Sequence, residues 1–195
     1  LNLALLSQLN EREDVNILLG AEVAARLPGR LQVAVSGFID DIQVDRQTLT
    51  DRRPTSYGLT FVTRMPLPRH PVHVALGYTR VSSLAYRNSF DPAFEYSFRR
   101  IGLARNFSDY DQLLLRLEAL PGRSWYLALD LSYLRQGSGD FRDPFPSDSV
   151  LAMPGQGFLV APVRTAPGIR ATVNAQLRPG WEVRGELGVT RRAAG

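Results

Sequence analysis

Apolar and polar residues alternate one by one along several segments of this chain, and the polar positions include charged side chains. In the segment 169–178 the odd-numbered positions are apolar, as at Ile169, Val173 and Leu177, and the even-numbered positions are polar, as at Arg170. A period of two places successive side chains on opposite faces of an extended backbone, so it predicts β-strands with one apolar and one polar face. The same pattern is found over residues 31–41, 125–135 and 181–191.

The connections between the predicted strands alternate between short and long. In three of the short ones Pro directly precedes Gly, where Pro presets φ at the second turn position and Gly accepts a positive φ at the third. Transmembrane barrels have short periplasmic turns and longer extracellular loops. Alternation alone also fits a soluble sandwich, so this sorting favours a membrane barrel, with a lipocalin-like barrel as the soluble alternative. The Pro-Gly pairs are 28–29, 121–122 and 179–180, and the long connections cover 42–55, 82–110 and 136–167.

The whole chain predicts one all-β domain, with no second domain in its 195 residues. We expect an antiparallel up-and-down transmembrane β-barrel in which strands adjacent in sequence are paired. The strand count is about nine, whereas single-chain bacterial barrels have even numbers, so we expect a fragment of such a barrel. The predicted strands cover residues 1–9, 15–27, 31–41, 56–64, 72–81, 111–120, 124–135, 168–178 and 181–192.

We expect the apolar positions of the strands to face lipid and the polar positions to face a water-filled lumen. Aromatic residues at both ends of the apolar bands agree with a membrane barrel, although aromatic residues favour strands in general. The lipid-facing set is Leu113, Leu115, Leu117, Leu127, Leu129, Leu131, Val173 and Val183. The lumen-facing set is Arg116, Glu118, Asp130, Arg170, Asn174, Arg184 and Glu186. The aromatic residues are Trp125 and Trp181 after short turns, and Tyr57, Tyr78 and Tyr133 near the long connections.

The charge pattern argues against nucleic acid as a partner. All 23 basic residues are Arg, the formal net charge is +4, and the pI is about 9.8, which first suggests a nucleic-acid-binding protein. The arginines are dispersed along the chain, however, and those on predicted strands lie on the same face as carboxylates. Opposite charges on one wall suit a barrel lumen, where Arg keeps its charge and pairs with acids. The residues expected to line that lumen are Arg116, Glu118, Arg170, Arg184 and Glu186.

Catalytic and metal-binding patterns are weak, so the sequence predicts no enzyme, no cofactor and no metal. Cysteine is absent, which excludes disulfides and thiolate metal sites. The only histidines, His70 and His73, would fall on opposite faces of a strand. Asp40, Asp41 and Asp45 lack the ligand spacing and Gly of a calcium loop. No glycine-flanked nucleophile or Gly-rich phosphate loop is present.

Several short motifs occur in order along the chain: Ser-Gln-Leu-Asn-Glu-Arg at 7–12, Asn-Ile-Leu-Leu-Gly at 16–20, Gly-Phe-Ile-Asp-Asp at 37–41 and Tyr-Thr-Arg-Val at 78–81. With Tyr86 and Tyr96, they resemble the capsule assembly Wzi family over most of the chain, corresponding to the C-terminal half of that family's barrel. The chain departs from the family pattern at 102–104 and 107–109. The resemblance implies a protein of the bacterial outer membrane, in contact with its lipid, that acts as a surface lectin for capsular polysaccharide.

The connection 82–110 interleaves aromatic residues with guanidinium groups. Aromatic faces can stack on sugar rings, and Arg can bind a uronate carboxylate through two parallel hydrogen bonds. Alternatively, this connection folds inward as a plug, with packed aromatics and paired arginines. The two leading functions are therefore polysaccharide binding and transport through a charged pore; the oligomeric state is left open. The candidate glycan-binding residues are Tyr86, Arg87, Phe94, Tyr96, Arg99 and Arg100.

Overall fold

The computed structural model describes residues 18–40, 56–87, 97–98, 101–102, 107–122, 124–151 and 153–194. Within these residues the fold is all-β. Eight antiparallel strands follow one another in a single sheet, and a short ninth strand extends it. The prediction of an antiparallel up-and-down sheet with sequence neighbours paired is therefore confirmed, while the strand expected over 1–9 lies outside the described residues.

The long strands agree closely with the predicted ones. Their order in the sheet is β1-β2-β3-β4-β7-β8-β9-β10, and β5 and β6 form a separate hairpin within a long connection. A one-turn helix, α1 (Asp148–Leu151), lies in the connection after β8, and a 3-10 turn (Pro28–Arg30) joins β1 to β2. The strands are β1 (Leu18–Leu27), β2 (Leu31–Asp40), β3 (Ser56–Pro66), β4 (Val72–Val81), β5 (Ser97–Phe98), β6 (Ile101–Gly102), β7 (Tyr110–Ala119), β8 (Trp125–Gln136), β9 (Arg164–Arg178), β10 (Trp181–Thr190) and β11 (Ala193–Ala194).

The last predicted strand is interrupted. Arg191 N donates to Pro167 O at 3.0 Å, and β11 then pairs with the beginning of β9, with Ala193 opposite Thr165. β11 thus continues the ladder that β10 forms. β1 and β10 are the two edges of the sheet and are not paired with each other in the part of the chain that is described, so this sheet is open.

The pairing register gives the sheet a polar face and an apolar face. Arg116 lies opposite Asp130, which lies opposite Arg170, and we call the side that carries these residues the polar face. Leu115 lies opposite Leu131, and we call their side the apolar face. The register places the predicted lipid-facing residues, from Leu113 to Val183, on the apolar face and the predicted lumen-facing residues, from Arg116 to Glu186, on the polar face.

Large hydrophobic side chains remain exposed along the apolar face. Leu187 is 77% exposed and Val23 is 69% exposed, and similar residues occur on every long strand. The hydrophobic cluster formed by buried residues lies on the other side, at the end of the sheet that bears the long connections. A water-soluble sheet normally packs its apolar face on a core, and an apolar surface this extensive is typical of an interaction surface.

Two of the three Pro-Gly joints have the predicted turn geometry. Gly29 has φ 76° and Gly180 has φ 82°, but Gly122 has no positive φ, so the prediction is wrong there. One end of that joint bonds to the β3–β4 joint, since Leu120 N donates to Pro71 O at 3.0 Å. The joint between β3 and β4 uses Arg69, with φ 69°, in place of a glycine.

Candidate functional site

Charged side chains on the polar face form a continuous network, which we call the ion ladder. Arg116 donates to Asp130 through Nε at 2.6 Å and through Nη2 at 2.8 Å. Arg170 Nε lies 3.5 Å from Asp130 Oδ2, and Arg170 Nη1 lies 3.3 Å from Glu186 Oε1. The ladder consists of Arg64, Glu118, Arg116, Asp130, Arg170, Glu186 and Arg184. It therefore includes all five residues predicted to line a lumen.

Arg64 is a member of the ladder that sequence reasoning missed. It comes from β3, forms an ion pair with Glu118 on β7, and reaches across the intervening strand β4. The residue of β4 between Arg64 and Arg116 in the register is Ala75, whose short side chain leaves the path open. The sequence shows on which face of its strand Arg64 lies, but the carboxylate with which it pairs depends on the order of three strands.

In each ion pair of the ladder, the carboxylate side chain is less exposed than the Arg side chain that it contacts. The Asp130 side chain is 5% exposed, whereas the Arg170 side chain is 53% exposed. Four guanidinium groups alternate with three carboxylates, so the ladder presents Arg to solvent and carries one net positive charge. Tyr126 also donates its hydroxyl to Glu118 Oε1 at 3.0 Å. Such a wall can bind or guide charged solutes in water.

Two solvent-open grooves lie along the same strands. The first, of about 440 Å³, is formed around the ladder and is lined by Asp130, Ser132, Arg170, Glu186 and Thr190, among others. Gly168 packs closely against Ser132 in this groove, because a Cβ at residue 168 would stand 2.7 Å from Ser132 Oγ. The second groove, of about 470 Å³, lies at the short-turn end and is lined by residues that include Trp125, Tyr126, Asn174, Gln176 and Trp181.

The described ends of the long connections pack together in what we call the loop cap, which consists of residues 82–87, 107–109, 137–141 and 156–160. Its aromatic core rests on the polar face. Phe38 of β2 stacks on Tyr86 with ring centroids 5.1 Å apart, and Phe141 meets Tyr86 edge-on at 5.8 Å. A Cβ at Gly58 would overlap the Phe38 ring, so this packing requires glycine on the adjacent strand.

Asp109 joins three parts of the loop cap and has no exposed surface. Its Oδ2 accepts hydrogen bonds from Gly139 N at 2.8 Å and from Val160 N at 3.0 Å. Its own backbone N donates to Ser82 O at 3.1 Å. Burial raises the pKa of Asp109, although the backbone hydrogen bonds and the charge of Arg87 oppose this shift. The amide donors come from residues far along the chain, so their partner could not be found from the sequence.

Of the six candidate glycan-binding residues, two belong to the part of the chain that the structure describes, and both lie inside the loop cap. Tyr86 has no exposed surface, and Arg87 is 6% exposed. Arg87 donates to the backbone oxygen of Asp140 and lies 3.9 Å from Asp143 Oδ2. The neighbouring hydrogen bond from Arg142 lowers the pKa of Asp140. The other four candidates, Phe94, Tyr96, Arg99 and Arg100, lie outside the described residues.

Aromatic residues lie at both ends of the sheet. Trp125 and Trp181 lie after short turns and are exposed. Tyr57, Tyr78 and Tyr133 lie at the opposite end, near the long connections. Both aromatic groups are therefore placed as the sequence predicted.

In residues 18–40, 56–87 and the later described segments, no group of three or more His, Cys, Asp or Glu side chains could hold a metal ion. His73 lies on β4, opposite Glu118, while Asp41 and Asp45 lie outside the described residues. No helix in the described part is long and apolar enough to cross a membrane.

Comparison of the chain with protein-family models, with curated protein sequences and with solved structures gives no match.

Proposed function

We propose that this chain forms part of the wall of a bacterial outer-membrane β-barrel that binds surface polysaccharide through its long connections. The observation that carries this proposal is the two-faced sheet, with exposed hydrophobic side chains on one face and the ion ladder on the other. Lipid would cover the apolar face, and water would fill the polar side. Barrels that span membranes have this division between an apolar outside and a polar interior.

The ends of the sheet support an orientation for this barrel. The short joints would face the periplasm, and the loop cap would lie at the cell surface, because outer-membrane barrels place their longer loops outside. The two aromatic groups would then lie at the two water–lipid interfaces, where the amphipathic rings of Trp and Tyr are favoured.

The polysaccharide part of the proposal rests on the family resemblance and on how the loop cap holds one connection. The segment with Phe94, Tyr96, Arg99 and Arg100 begins after Arg87 and returns to Ser108, and both of these residues are buried in the cap. Ser108 Oγ also donates to Gly139 O at 3.3 Å. The cap therefore provides a packed base for this segment, with Tyr86 and Arg87 as supports inside it.

A double substitution in the full-length protein tests polysaccharide binding. Tyr96→Ala with Arg99→Ala should release polysaccharide from cells while barrel assembly stays intact. A stacking contact and a charge-assisted pair each contribute on the order of 1–3 kcal/mol, so losing both should weaken one site tens-fold or more. The matched control is Arg142→Ala with Met153→Ala, which removes an exposed Arg and an exposed apolar side chain from another long connection. Retained polysaccharide in the first variant contradicts the proposal.

The ion ladder favours a second candidate, a pore whose charged wall selects ions. Arg184→Gln removes an exposed guanidinium that lies 3.4 Å from Glu186. In a conducting barrel this change should lower the preference for anions, because it removes a positive charge from the wall. Ion selectivity in planar bilayers measures the effect. Changed selectivity together with retained glycan binding in the Tyr96 and Arg99 variant would favour the pore.

A further inference from the structure

Arg80 is a cation on the apolar face of the sheet, at the end that bears the long connections. It is the next-to-last residue of β4, and its register neighbours are Leu59 on β3 and Asp111 on β7. Leu59 is 41% exposed, and Leu113, one step further along the apolar face of β7, is 46% exposed. A guanidinium group therefore lies directly beside exposed apolar surface.

The carboxylate of the register neighbour Asp111 is already bound to another cation. Asp111 accepts hydrogen bonds from Arg135 through Nε, at 2.9 Å, and through Nη2. It also lies 3.3 Å from the hydroxyl of Tyr78, which donates to it. Among the described residues, no carboxylate forms an ion pair with Arg80, and its Nε is buried without a hydrogen-bond partner. The positive charge of Arg80 is thus uncompensated by this part of the protein.

Two aromatic rings hold the Arg80 guanidinium in place. Its Cζ lies 3.7 Å from the centroid of Phe158, which comes from the connection between β8 and β9, and 5.5 Å from the centroid of Tyr57. Contacts with ring faces restrain the plane of a guanidinium without using its N–H groups as donors. The backbone next to Phe158 is also anchored, because Ser83 N donates to Gly157 O at 3.2 Å.

We propose that Arg80, held against Phe158 and Tyr57, binds the phosphate of a lipid headgroup in the outer leaflet. This inference rests on the proposed membrane location of the apolar face. A planar guanidinium binds phosphate oxygens through charge-assisted, paired hydrogen bonds. The exposed leucines beside it offer a surface for the acyl chains of the same lipid, which a free phosphate ion would not use. One unpaired cation next to an apolar band therefore fits an anionic lipid.

The test measures lipid retention by the full-length protein in mixed micelles, with native mass spectrometry as the readout. The probes are bis-phosphorylated lipid A, the same lipid without its phosphates, and phosphatidylethanolamine. Wild-type protein should retain phosphorylated lipid A in preference to both others. Arg80→Gln should weaken that retention by about tenfold, because it removes a charge-assisted pair. Arg80→Lys, which keeps the charge without the planar group, should give an intermediate value.

The matched control is Arg69→Gln, which removes one exposed cation from the opposite end of the same β3–β4 hairpin. It should retain lipid A as the wild type does. Equal retention of phosphorylated and dephosphorylated lipid, or equal losses in the Arg80 and Arg69 variants, overturns the inference.

Membrane assembly of each variant is measured separately, by heat-dependent migration in gels and by membrane fractionation. A protein that assembles in the outer membrane without any preference for phosphorylated lipid contradicts only the Arg80 site. A wild-type protein that does not assemble in the membrane contradicts the proposed function itself.

Discussion

The backbone of Gly137 lies directly against the carboxylate of Asp109, so a Cβ at residue 137 would overlap Asp109 Oδ2. Gly137 N also donates to Asp109 O at 2.8 Å. The two residues come from different connections, and their contact lies where β7 begins and β8 ends. The loop cap therefore depends on a glycine for a steric reason, in addition to its aromatic core.

Gly137→Ala should open the loop cap while leaving the sheet assembled. The added methyl group must displace the Asp109 carboxylate from its hydrogen bonds, and losing those bonds to a buried group should cost about 1–3 kcal/mol. Limited proteolysis should show faster cleavage in the long connections. Gly122→Ala is the control, since a Cβ there has no atom within 4 Å. Equal protease resistance of the two variants contradicts this account of the cap.

Acid should stabilise the loop cap through Asp109. Its pKa in the folded protein is raised above the ordinary value of 3.8, chiefly by burial. A raised pKa means that the folded state binds the proton more tightly than the unfolded state does, so protonation of Asp109 stabilises the folded state. This stabilisation is fully present below the unfolded pKa and is lost as pH rises through the folded pKa. Protease resistance of the long connections should therefore increase as pH falls through that window.

Asp109→Asn tests the origin of that pH dependence. Asparagine keeps an oxygen that can accept from Gly139 N and Val160 N but does not titrate. The variant should show a flatter dependence of protease resistance on pH, after correction for the protease's own pH profile. An unchanged pH dependence would contradict the assignment of this effect to Asp109.

A paired substitution tests which face meets lipid. Leu127 lies on the apolar face opposite Val173, and Thr172 lies on the polar face opposite Ala128. Leu127→Arg should cost about 2–4 kcal/mol of barrel stability if the apolar face lies in the bilayer, because a charge near its midplane is poorly solvated. Thr172→Arg should cost little. Unfolding by urea in lipid vesicles measures both, and equal costs would argue against a lipid-covered apolar face.

Asp130→Asn should weaken the centre of the ion ladder. The change removes the charge that Arg116 and Arg170 share, while keeping a side chain of the same size. We expect a loss of about 1–2 kcal/mol in the free energy of unfolding, limited by the solvent exposure of both arginines. The double variant Asp130→Asn with Arg116→Gln should lose less than the sum of the single losses, because the two residues interact directly. Additive losses contradict a coupled ladder.

Strand positions and the division into two faces could be predicted from the sequence because both are local properties. A period of two assigns each side chain to a face wherever the backbone is extended, so Arg116 and Leu115 were assigned correctly without knowledge of their neighbours. The positive φ of Gly29 and Gly180 likewise follows from their own dipeptides. The joint at Gly122 departs from this rule, and it also contacts the β3–β4 joint through Leu120 N and Pro71 O, a contact that its dipeptide does not encode.

The sequence by itself thus determined the strands, their faces and the alternation of short and long connections. Only the tertiary structure decided which residues meet across the sheet and in the loop cap. Arg64 and Glu118 are 54 positions apart, and Val160 reaches Asp109 over 51 positions. Their contacts depend on strand order, on register and on the small residues that leave space between them. Neither periodicity nor turn chemistry encodes these, because both act over only a few neighbouring residues.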